Sequence, residues 1–222
     1  RTSVVLYNYN SVSGETSFWG SYVDVHGKTD NIAYNVVVSG AYNNCYGGEL
    51  DDKLTAKGWV VSLHGKSGND TLIQNSYWAK TYGGKGDDTI IANKNGSYIY
   101  GEAGNDTITI NVETSNEIDG GTGDDTYNIN ASCAPKDTDN CNITGGMGND
   151  TFYVNGNNNT VNGAGGDDYF VINSKGSNTI DGATGDNYYV DNSDGNATLV
   201  SVVSDPNSGM LQFSSIGEEK AF

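Results

Sequence analysis

The chain has 222 residues, of which only 35% are hydrophobic and two are proline, so a thin, repetitive core is expected rather than a thick globular one. Lysine and arginine number 11 against 28 aspartate and glutamate, a formal net charge of −17, which excludes nucleic acid as a natural partner and favours cations. Fifteen tyrosines and three tryptophans argue against permanent disorder.

No targeting signal and no membrane span are expected within these 222 residues. No apolar run reaches the ~18 residues that a membrane span needs, so no membrane span is expected. The chain starts at Arg1 without a secretory signal, which we interpret as a fragment of a longer protein.

The first 46 residues contain only an imperfect version of the pattern that follows. Residues 1–21 are predicted to form an N-terminal cap, and residues 22–46 one or more degenerate coils, because "YVDVHGKTDNI" (22–32) echoes "VVSLHGKSGNDTL" (60–72). His26 and His64 share one repeat position, so both are interpreted as repeat residues rather than catalytic groups or metal ligands.

Residues 47–200 are organised by a glycine-rich loop that returns about every 18 residues. Its eight copies are "GGELDDKL" (47–54), "GKSGNDTL" (65–72), "GGKGDDTI" (83–90), "GEAGNDTI" (101–108), "GGTGDDTY" (120–127), "GGMGNDTF" (145–152), "GAGGDDYF" (163–170) and "GATGDNYY" (182–189). Aligned on the aspartate, the steps are 18, 18, 18, 19, 25, 18 and 19 residues. Residues 201–222 lack the pattern and are predicted to cap the end of the sheets.

Short strands are predicted on both sides of each loop. Apolar residues stand two positions before the first glycine and two and four positions after the aspartate, which is the period-two alternation of a strand. One such unit cannot bury its own apolar face, whereas stacked units can, at ~4.8 Å per coil. The sequence therefore predicts an all-β parallel β-roll of about eight or nine 18-residue coils, capped at both ends.

The loop itself predicts a calcium site. A turn of form G-G-x-G-x-D places carbonyls and one carboxylate on its inner side, and Ca²⁺ takes six to eight such oxygens at ~2.3–2.6 Å. One turn supplies about half a shell, so each ion is expected between two stacked turns. The carboxylates assigned to metal binding are Asp52, Asp70, Asp88, Asp106, Asp125, Asp150 and Asp168, with Asn187 in the eighth copy.

These loops resemble the calcium-binding repeats of the RTX (repeats-in-toxin) family, whose G-G-x-G-x-D-x-U-x pattern the copies at Gly83, Gly120 and Gly145 match in full. The resemblance implies a β-roll that is exported unfolded by a type I secretion system and folds outside the cell, where calcium is millimolar. It also implies calcium binding by the third-glycine carbonyls Gly68, Gly86, Gly104, Gly123, Gly148, Gly166 and Gly185.

The 18-residue spacing departs from the nine-residue spacing of typical RTX rolls, so one row of ions along one edge is expected. Eight loops leave seven gaps with weaker sites at the ends, which gives about five to seven ions. The 18-residue form most resembles the C-terminal repeats of multifunctional autoprocessing RTX toxins, and a large RTX adhesin is the alternative. Leu50 in the first loop and Asn187 in the last are expected to weaken their sites.

Two features lie away from the loops. Asparagine follows the aligned position by five residues in seven copies, which predicts a hydrogen-bonded amide column in the opposite turn. The 25-residue step places its extra residues in "ASCAPKDTDNC" (131–141), predicted to bulge into solvent. Cys133 and Cys141 are expected to form a disulfide across it, with a reduced pair or an intermolecular bridge as alternatives, and Cys45 to be a buried free thiol.

No catalytic set stands apart from the repeat, so no enzyme activity is expected within this segment. An outward threonine column resembles an ice-binding array, but the column beside it is irregular. Tyr46, His64, Tyr82 and Tyr100 form an outward aromatic column that is either a structural stack or a candidate face for a host-cell glycan or protein. The function predicted is that of a calcium-folded domain of a large secreted toxin, extracellular or on the bacterial surface.

Overall fold

Two parallel β-sheets of eleven strands each form a solenoid in which every coil gives one strand to each sheet. The structure is a computed structural model that describes residues 2–6, 15–27, 32–111, 117–133, 141–193 and 195–204. The described residues contain no helix, and thus none that is long and apolar enough to cross a membrane. The parallel β-roll predicted from the 18-residue period is confirmed.

The strands alternate strictly between the two sheets along the chain. The first sheet holds, in spatial order, β1 (Thr2–Leu6), β3 (Val23–Gly27), β5 (Asn44–Tyr46), β7 (Ser62–Ser67), β9 (Lys80–Lys85), β11 (Tyr98–Ala103), β13 (Glu117–Thr122), β15 (Cys141–Met147), β17 (Asn159–Gly165), β19 (Thr179–Asp181) and β21 (Thr198–Val200). The second holds β2 (Thr16–Ser21), β4 (Asn35–Ala41), β6 (Lys53–Trp59), β8 (Thr71–Tyr77), β10 (Thr89–Ala92), β12 (Thr107–Ile110), β14 (Thr126–Ile129), β16 (Thr151–Val154), β18 (Tyr169–Ile172), β20 (Tyr188–Asp191) and β22 (Val203–Ser204).

Successive coils stack in register, so equivalent repeat positions lie directly above one another. Thr89 pairs with Thr107 and Ile90 with Ile108, one period apart. Because side chains alternate between the two faces of a strand, every column is either wholly inward or wholly outward. This register turns a repeated residue in the sequence into a continuous row in space.

The core is a thin apolar layer between the two sheets. Most inward positions of both sheets are fully buried, and Phe18 and Leu199 near the two ends are partly buried. In the later coils the inward column becomes aromatic: the rings of Tyr127 and Phe152 stack at 4.6 Å, and those of Phe152 and Phe170 at 4.8 Å. The low hydrophobic content of the chain suffices because each coil buries only a few side chains.

The stack is longer than the eight or nine coils predicted and contains about ten. Strands β1 and β2 lie within residues 1–21, the predicted N-terminal cap, and pair in register with β3 and β4. At the other end β22 pairs with β20, while the remainder of the predicted C-terminal cap, residues 205–222, lies outside the described residues. Strand pairing thus extends into segments that lack the complete glycine loop.

The long step leaves the stacking intact on both sides. Strand β13 pairs with β15, and β14 with β16, in the same register as other coils. Cys133 and Cys141 are buried and joined by a disulfide with their Cα atoms 6.0 Å apart, and Cys45 is a buried free cysteine. The predicted solvent bulge falls on residues 134–140, which lie outside the described residues.

The predicted asparagine column forms a continuous amide ladder. Each Nδ2 donates to the Oδ1 of the preceding coil at 2.8–2.9 Å. The ladder runs through Asn75, Asn93, Asn111, Asn130, Asn155, Asn173 and Asn192. It lies at the edge opposite the glycine loops, and its bonds cross the long step between Asn130 and Asn155 without interruption.

Candidate metal sites

The eight glycine loops lie along one edge of the solenoid, which we call the loop edge; it joins each first-sheet strand to the following second-sheet strand. It comprises residues 47–52, 65–70, 83–88, 101–106, 120–125, 145–150, 163–168 and 182–187. The opposite edge carries the amide ladder and, over the residues that the structure describes there, no complete glycine loop. The aspartates assigned from sequence therefore form a single row.

The row of aspartates is buried, and one oxygen of each carboxylate is held by the backbone. Every aspartate of the row is at most 2% exposed. The backbone N–H of Asp88 donates to Oδ1 of Asp106 at 2.8 Å, and the same bond links the other neighbours in the row at 2.6–2.9 Å. This bond fixes the carboxylate plane, so the second oxygen has a defined direction.

That second oxygen, Oδ2, has no hydrogen-bond partner in six consecutive coils. The six atoms are Oδ2 of Asp70, Asp88, Asp106, Asp125, Asp150 and Asp168. A buried carboxylate oxygen without a partner is strongly unfavourable unless a proton or a cation satisfies it. Six such atoms in a row are the structural sign of an ion column.

Burial also changes the acidity of these side chains. Desolvation, followed by neighbouring carboxylates, raises the pKa of Asp70, Asp106 and Asp150 to about 7, although a backbone hydrogen bond to each lowers it. The same dominant cause raises the pKa of Asp88, Asp125 and Asp168 to about 6. The metal-free row is therefore a set of carboxylates whose charge is poorly tolerated near neutral pH.

The first glycine of each loop makes room for this carboxylate. A β-carbon built on Gly83 would lie 2.3 Å from Oδ2 of Asp88 and 2.6 Å from the carbonyl oxygen of Gly101 in the next coil. Only glycine fits, because both oxygens occupy the space that a β-carbon would take. The same convergence of a carboxylate and a next-coil carbonyl recurs at Gly65, Gly101, Gly120, Gly145 and Gly163.

The sequence prediction assigned the carbonyls of the third glycines to calcium binding. It did not include the carbonyls of the first glycines, which lie beside the carboxylates. All third glycines adopt φ between 108° and 139°, a conformation that favours glycine. Their carbonyls line up along the row: a β-carbon on Gly104 would lie 2.0 Å from the Gly86 oxygen. Calcium binding by Gly68, Gly86, Gly104, Gly123, Gly148, Gly166 and Gly185 stays a prediction.

The row ends differently at its two extremes. At the start, Oδ2 of Asp52 accepts a bond from the Gly48 N–H at 2.5 Å, and the Lys66 ammonium donates to the Gly47 carbonyl at 2.7 Å. The first gap thus has its own positive group. At the end, the Asn187 amide nitrogen donates to the Gly182 carbonyl at 2.8 Å, so a hydrogen-bond donor stands where other loops carry a bare oxygen.

A second, exposed ladder runs beside the aspartate row, one residue earlier in each loop. Its members alternate between aspartate and asparagine up to the last two, which are both aspartate: Asp51, Asn69, Asp87, Asn105, Asp124, Asn149, Asp167 and Asp186. The Oδ1 of each of the first seven accepts the backbone N–H of the equivalent residue in the next coil at 2.7–2.9 Å. Alternation with neutral amides reduces the number of adjacent carboxylates in this outer column.

The outward aromatic column of the first sheet is a face-to-face stack. Rings of His26, Tyr46, His64, Tyr82 and Tyr100 lie 4.5–5.2 Å apart between neighbouring centroids. Burial, with a smaller effect of Lys66, lowers the pKa of His64 to about 4, so this ring is neutral near pH 7. Since the ring faces cover one another, mainly ring edges face solvent, and a ligand-binding role for this stack stays a prediction.

The arrangement fits calcium better than a transition metal. Within the described part of the chain, no three His, Cys, Asp or Glu side chains cluster as a metal site would require. The loops offer instead one carboxylate per coil together with backbone carbonyls, the hard oxygen donors that calcium prefers. An ion placed between stacked loops would be held by the aspartate row and carbonyls of two coils.

Comparison with known protein families agrees with this geometry. The model of the RTX calcium-binding nonapeptide repeat matches four copies, over residues 82–109 and 142–171, which contain the loops beginning at Gly83, Gly101, Gly145 and Gly163. These matched repeats, stacked in a parallel β-roll, support the RTX family. Loops of the roll outside these ranges, such as the one at Gly65, have the same geometry. Neither the curated proteins nor the solved structures compared with it gave a significant match.

Proposed function

We propose that this roll is a calcium-folded domain that is loosely structured without calcium and stacks into a solenoid when a row of ions fills the loop edge. The observation that supports this most directly is the set of six buried Oδ2 atoms without partners. One ion for each gives six ions, with the Lys66 ammonium and the Asn187 amide closing the row at its ends.

Electrostatics makes the ions necessary for folding. Two carboxylates ~5 Å apart repel by about 3 kcal/mol at an effective dielectric of 20, as an upper figure. Repeated along the row, this repulsion is comparable with the ~5–15 kcal/mol that usually stabilises a domain. Bound calcium supplies positive charge between the carboxylates and couples metal binding to folding.

The test is a calcium titration of the metal-free chain at pH 7.5. We expect little β signal in circular dichroism with chelator and a cooperative increase as calcium reaches ~10⁻⁴–10⁻³ M, the range of extracellular calcium modules. Equilibrium dialysis should give close to six ions per chain. Mg²⁺ is the control, and it should substitute poorly because its small octahedral shell suits these loops less well. A β signal unaffected by calcium would refute the proposal.

We further propose that the roll belongs to a large secreted bacterial toxin, that it leaves the cell unfolded through type I secretion, and that it acts without catalysis of its own. The calcium dependence expected above and the RTX repeats support this: low cytosolic calcium keeps the chain export-competent. The alternative is a structural or ligand-binding module, for glycan or ice, of a large RTX adhesin. A version of the roll whose loops fold without calcium would test the secretory role. Its rate of export should fall, since folding before export should block export.

An additional role at the host-cell surface is suggested by a second aromatic group. All three tryptophans are exposed: Trp19 by 88%, Trp59 by 58% and Trp78 by 55%. Tyr22, Tyr42 and Trp78 occupy left-handed turns at φ 55–59°, an unfavourable conformation for large side chains. Between residues 53 and 82 the sole acidic residue is Asp70 on the loop edge, so this surface lacks the negative charge of the rest of the roll.

Surface binding is tested by comparing two double variants with wild type on host cells and immobilised glycans. Trp59→Ser with Trp78→Asn removes exposed rings, and asparagine suits the left-handed turn, as Asn158 shows at φ 58°. Tyr82→Ser with Tyr100→Ser removes the stacked rings instead. Both variants should still fold with calcium. We expect the tryptophan double variant to lose binding to host cells or glycans. If neither variant loses binding, the aromatic groups are structural.

A further inference from the structure

The gap between the loops at Gly120 and Gly145 differs from every other gap of the row in its chemistry. A β-carbon built on Gly120 would lie 2.0 Å from the Tyr127 hydroxyl oxygen, 2.1 Å from Oδ2 of Asp125 and 2.5 Å from the Gly145 carbonyl oxygen. Three oxygens of three chemical types converge there. At the other first glycines with an aspartate partner, only a carboxylate and a carbonyl oxygen approach the same point.

The hydroxyl reaches the loop edge from the core. Tyr127 lies on an inward position of β14, is fully buried, and stacks its ring on that of Phe152. The equivalent inward positions in the aspartate-bearing coils hold side chains without a polar atom: Leu54, Leu72, Ile90, Ile108, Phe152 and Phe170. Stacking of the aromatic column therefore needs only the ring, and the hydroxyl has another role.

The hydroxyl has one hydrogen, and it lies within donating distance of two carbonyls. It is 3.0 Å from the Thr144 oxygen and 3.1 Å from the Gly145 oxygen. Among the described residues no donor reaches the hydroxyl oxygen itself, and Oδ2 of Asp125 beside it also has no partner. Two electron-rich oxygens pointing into one buried space are favourable only when a proton or a cation lies between them.

We propose that the Tyr127 hydroxyl oxygen is a calcium ligand that joins Asp125 at this gap and makes it the tightest site of the row. This inference rests on the proposed function and concerns one of the six ions. Its location gives it a purpose: this gap spans the 25-residue step, where closing a longer chain segment is entropically less favourable than in an 18-residue coil. An extra ligand and the Cys133–Cys141 disulfide act at the same coil.

The test uses a pair of variants that differ by one oxygen atom and keep the ring. Tyr127→Phe gives this coil the phenylalanine that the next two coils carry, so ring stacking is retained. Phe152→Tyr brings a hydroxyl to the gap between the loops at Gly145 and Gly163. Calorimetric calcium titration of wild type should resolve one tight site among six. In Tyr127→Phe the calcium affinity of that site should fall roughly tenfold, the size of effect seen when a group that tunes a metal site is lost. Six ions should still be bound.

A second readout follows the ligand itself. Tb³⁺ replaces calcium as the probe, and light absorbed by tyrosine is transferred most efficiently to an ion in direct contact with the phenol. Tb³⁺ emission should be lower in Tyr127→Phe than in wild type and higher in Phe152→Tyr than in wild type. The comparison is made under conditions in which circular dichroism shows that both variants remain folded.

The outcomes separate the two proposals. Six ions with unchanged affinity and unchanged emission in Tyr127→Phe would overturn the role of Tyr127 while leaving the calcium-folded roll intact. A tighter site in Tyr127→Phe would also overturn it, since the hydroxyl would then be competing with the ion. Absence of calcium binding to the wild-type chain would refute both.

Discussion

At the scale of single residues, each site depends on a glycine and an aspartate that stand five positions apart in one loop. The carboxylate folds back onto the first glycine of its own loop, which leaves one oxygen tied to the backbone and the other bare. The sequence predicted the aspartates because their chemistry is visible in one loop. It missed the first-glycine carbonyls, because their position depends on the next coil.

Asp106→Asn tests the bare oxygen with a nearly isosteric change. The amide oxygen can still accept the Asp88 N–H, as the Asn187 oxygen accepts that of Asp168 at 2.8 Å, but the second position becomes a donor and repels a cation. We expect at least one ion fewer by dialysis. At a calcium concentration of ~100 Kd, each lost site removes about 2.7 kcal/mol from the free energy of unfolding.

Asp52→Asn is the matched control at the end of the row. Oδ2 of Asp52 already accepts the Gly48 N–H, and the Lys66 ammonium occupies the same gap. The ion count should therefore stay at six, and the calcium concentration needed for folding should change less than in Asp106→Asn. Equal losses in the two variants would contradict the proposal that the row begins at Asp70.

At the scale of elements, the long coil keeps its place because strands and loops on both sides remain paired. The Asp125 N–H donates to Oδ1 of Asp150 at 2.8 Å across the 25-residue step, as in every regular coil. The two cysteines of the disulfide are separated by only eight positions in the sequence. The disulfide should therefore stabilise this coil without determining the geometry of the ion row.

Replacing Cys133 and Cys141 together by serine should lower the free energy of unfolding by about 2–3 kcal/mol, the loop-entropy value for so short a crosslink. Urea titration at saturating calcium measures this loss. The number of bound ions should remain that of wild type. Cys45→Ala is the control without a crosslink: burial, followed by Asp52, raises the pKa of this thiol to about 12, so it is inert in the folded roll. A changed ion count would show that the disulfide shapes the site.

How far the elements could be predicted depends on where the repeat is exact. The amide ladder followed from one residue type at one spacing, and the structure contains all seven members. The turns of the early coils did not follow, because Tyr22, Tyr42, Val60 and Trp78 turn the chain in left-handed conformations that glycine or asparagine usually marks. Register imposed by the neighbouring coils overrides the local preference of these four residues.

At the scale of the whole molecule, 12 of the 28 acidic residues lie along one edge in two parallel columns, one buried and one exposed. The buried column is neutral when protonated, is offset by positive charge when calcium is bound, and is strongly self-repelling otherwise. Protons and calcium ions are therefore alternative ways to satisfy the same carboxylates, and the fold should respond to both.

The metal-free roll should be more stable in mild acid than at neutral pH. Burial raises the pKa of the six aspartates from an unfolded value of ~3.9 to about 6 or 7. The folded chain then binds protons more tightly than the unfolded chain, so this contribution to stability is complete below about pH 4 and is lost as the pH rises through 6–7. Calcium competes with these protons, so its apparent affinity should fall as the pH drops below 6–7.

Circular dichroism of the chain freed of metal on a chelating resin checks this between pH 5 and pH 8. We expect the β signal and the urea midpoint to be higher at pH 5, and saturating calcium to reverse the order by restoring the fold at pH 8. The Asp106→Asn variant provides the internal comparison, because its amide has no proton to lose and should make the metal-free fold less sensitive to pH. A metal-free chain that gains structure as the pH rises would show that the buried row does not control folding.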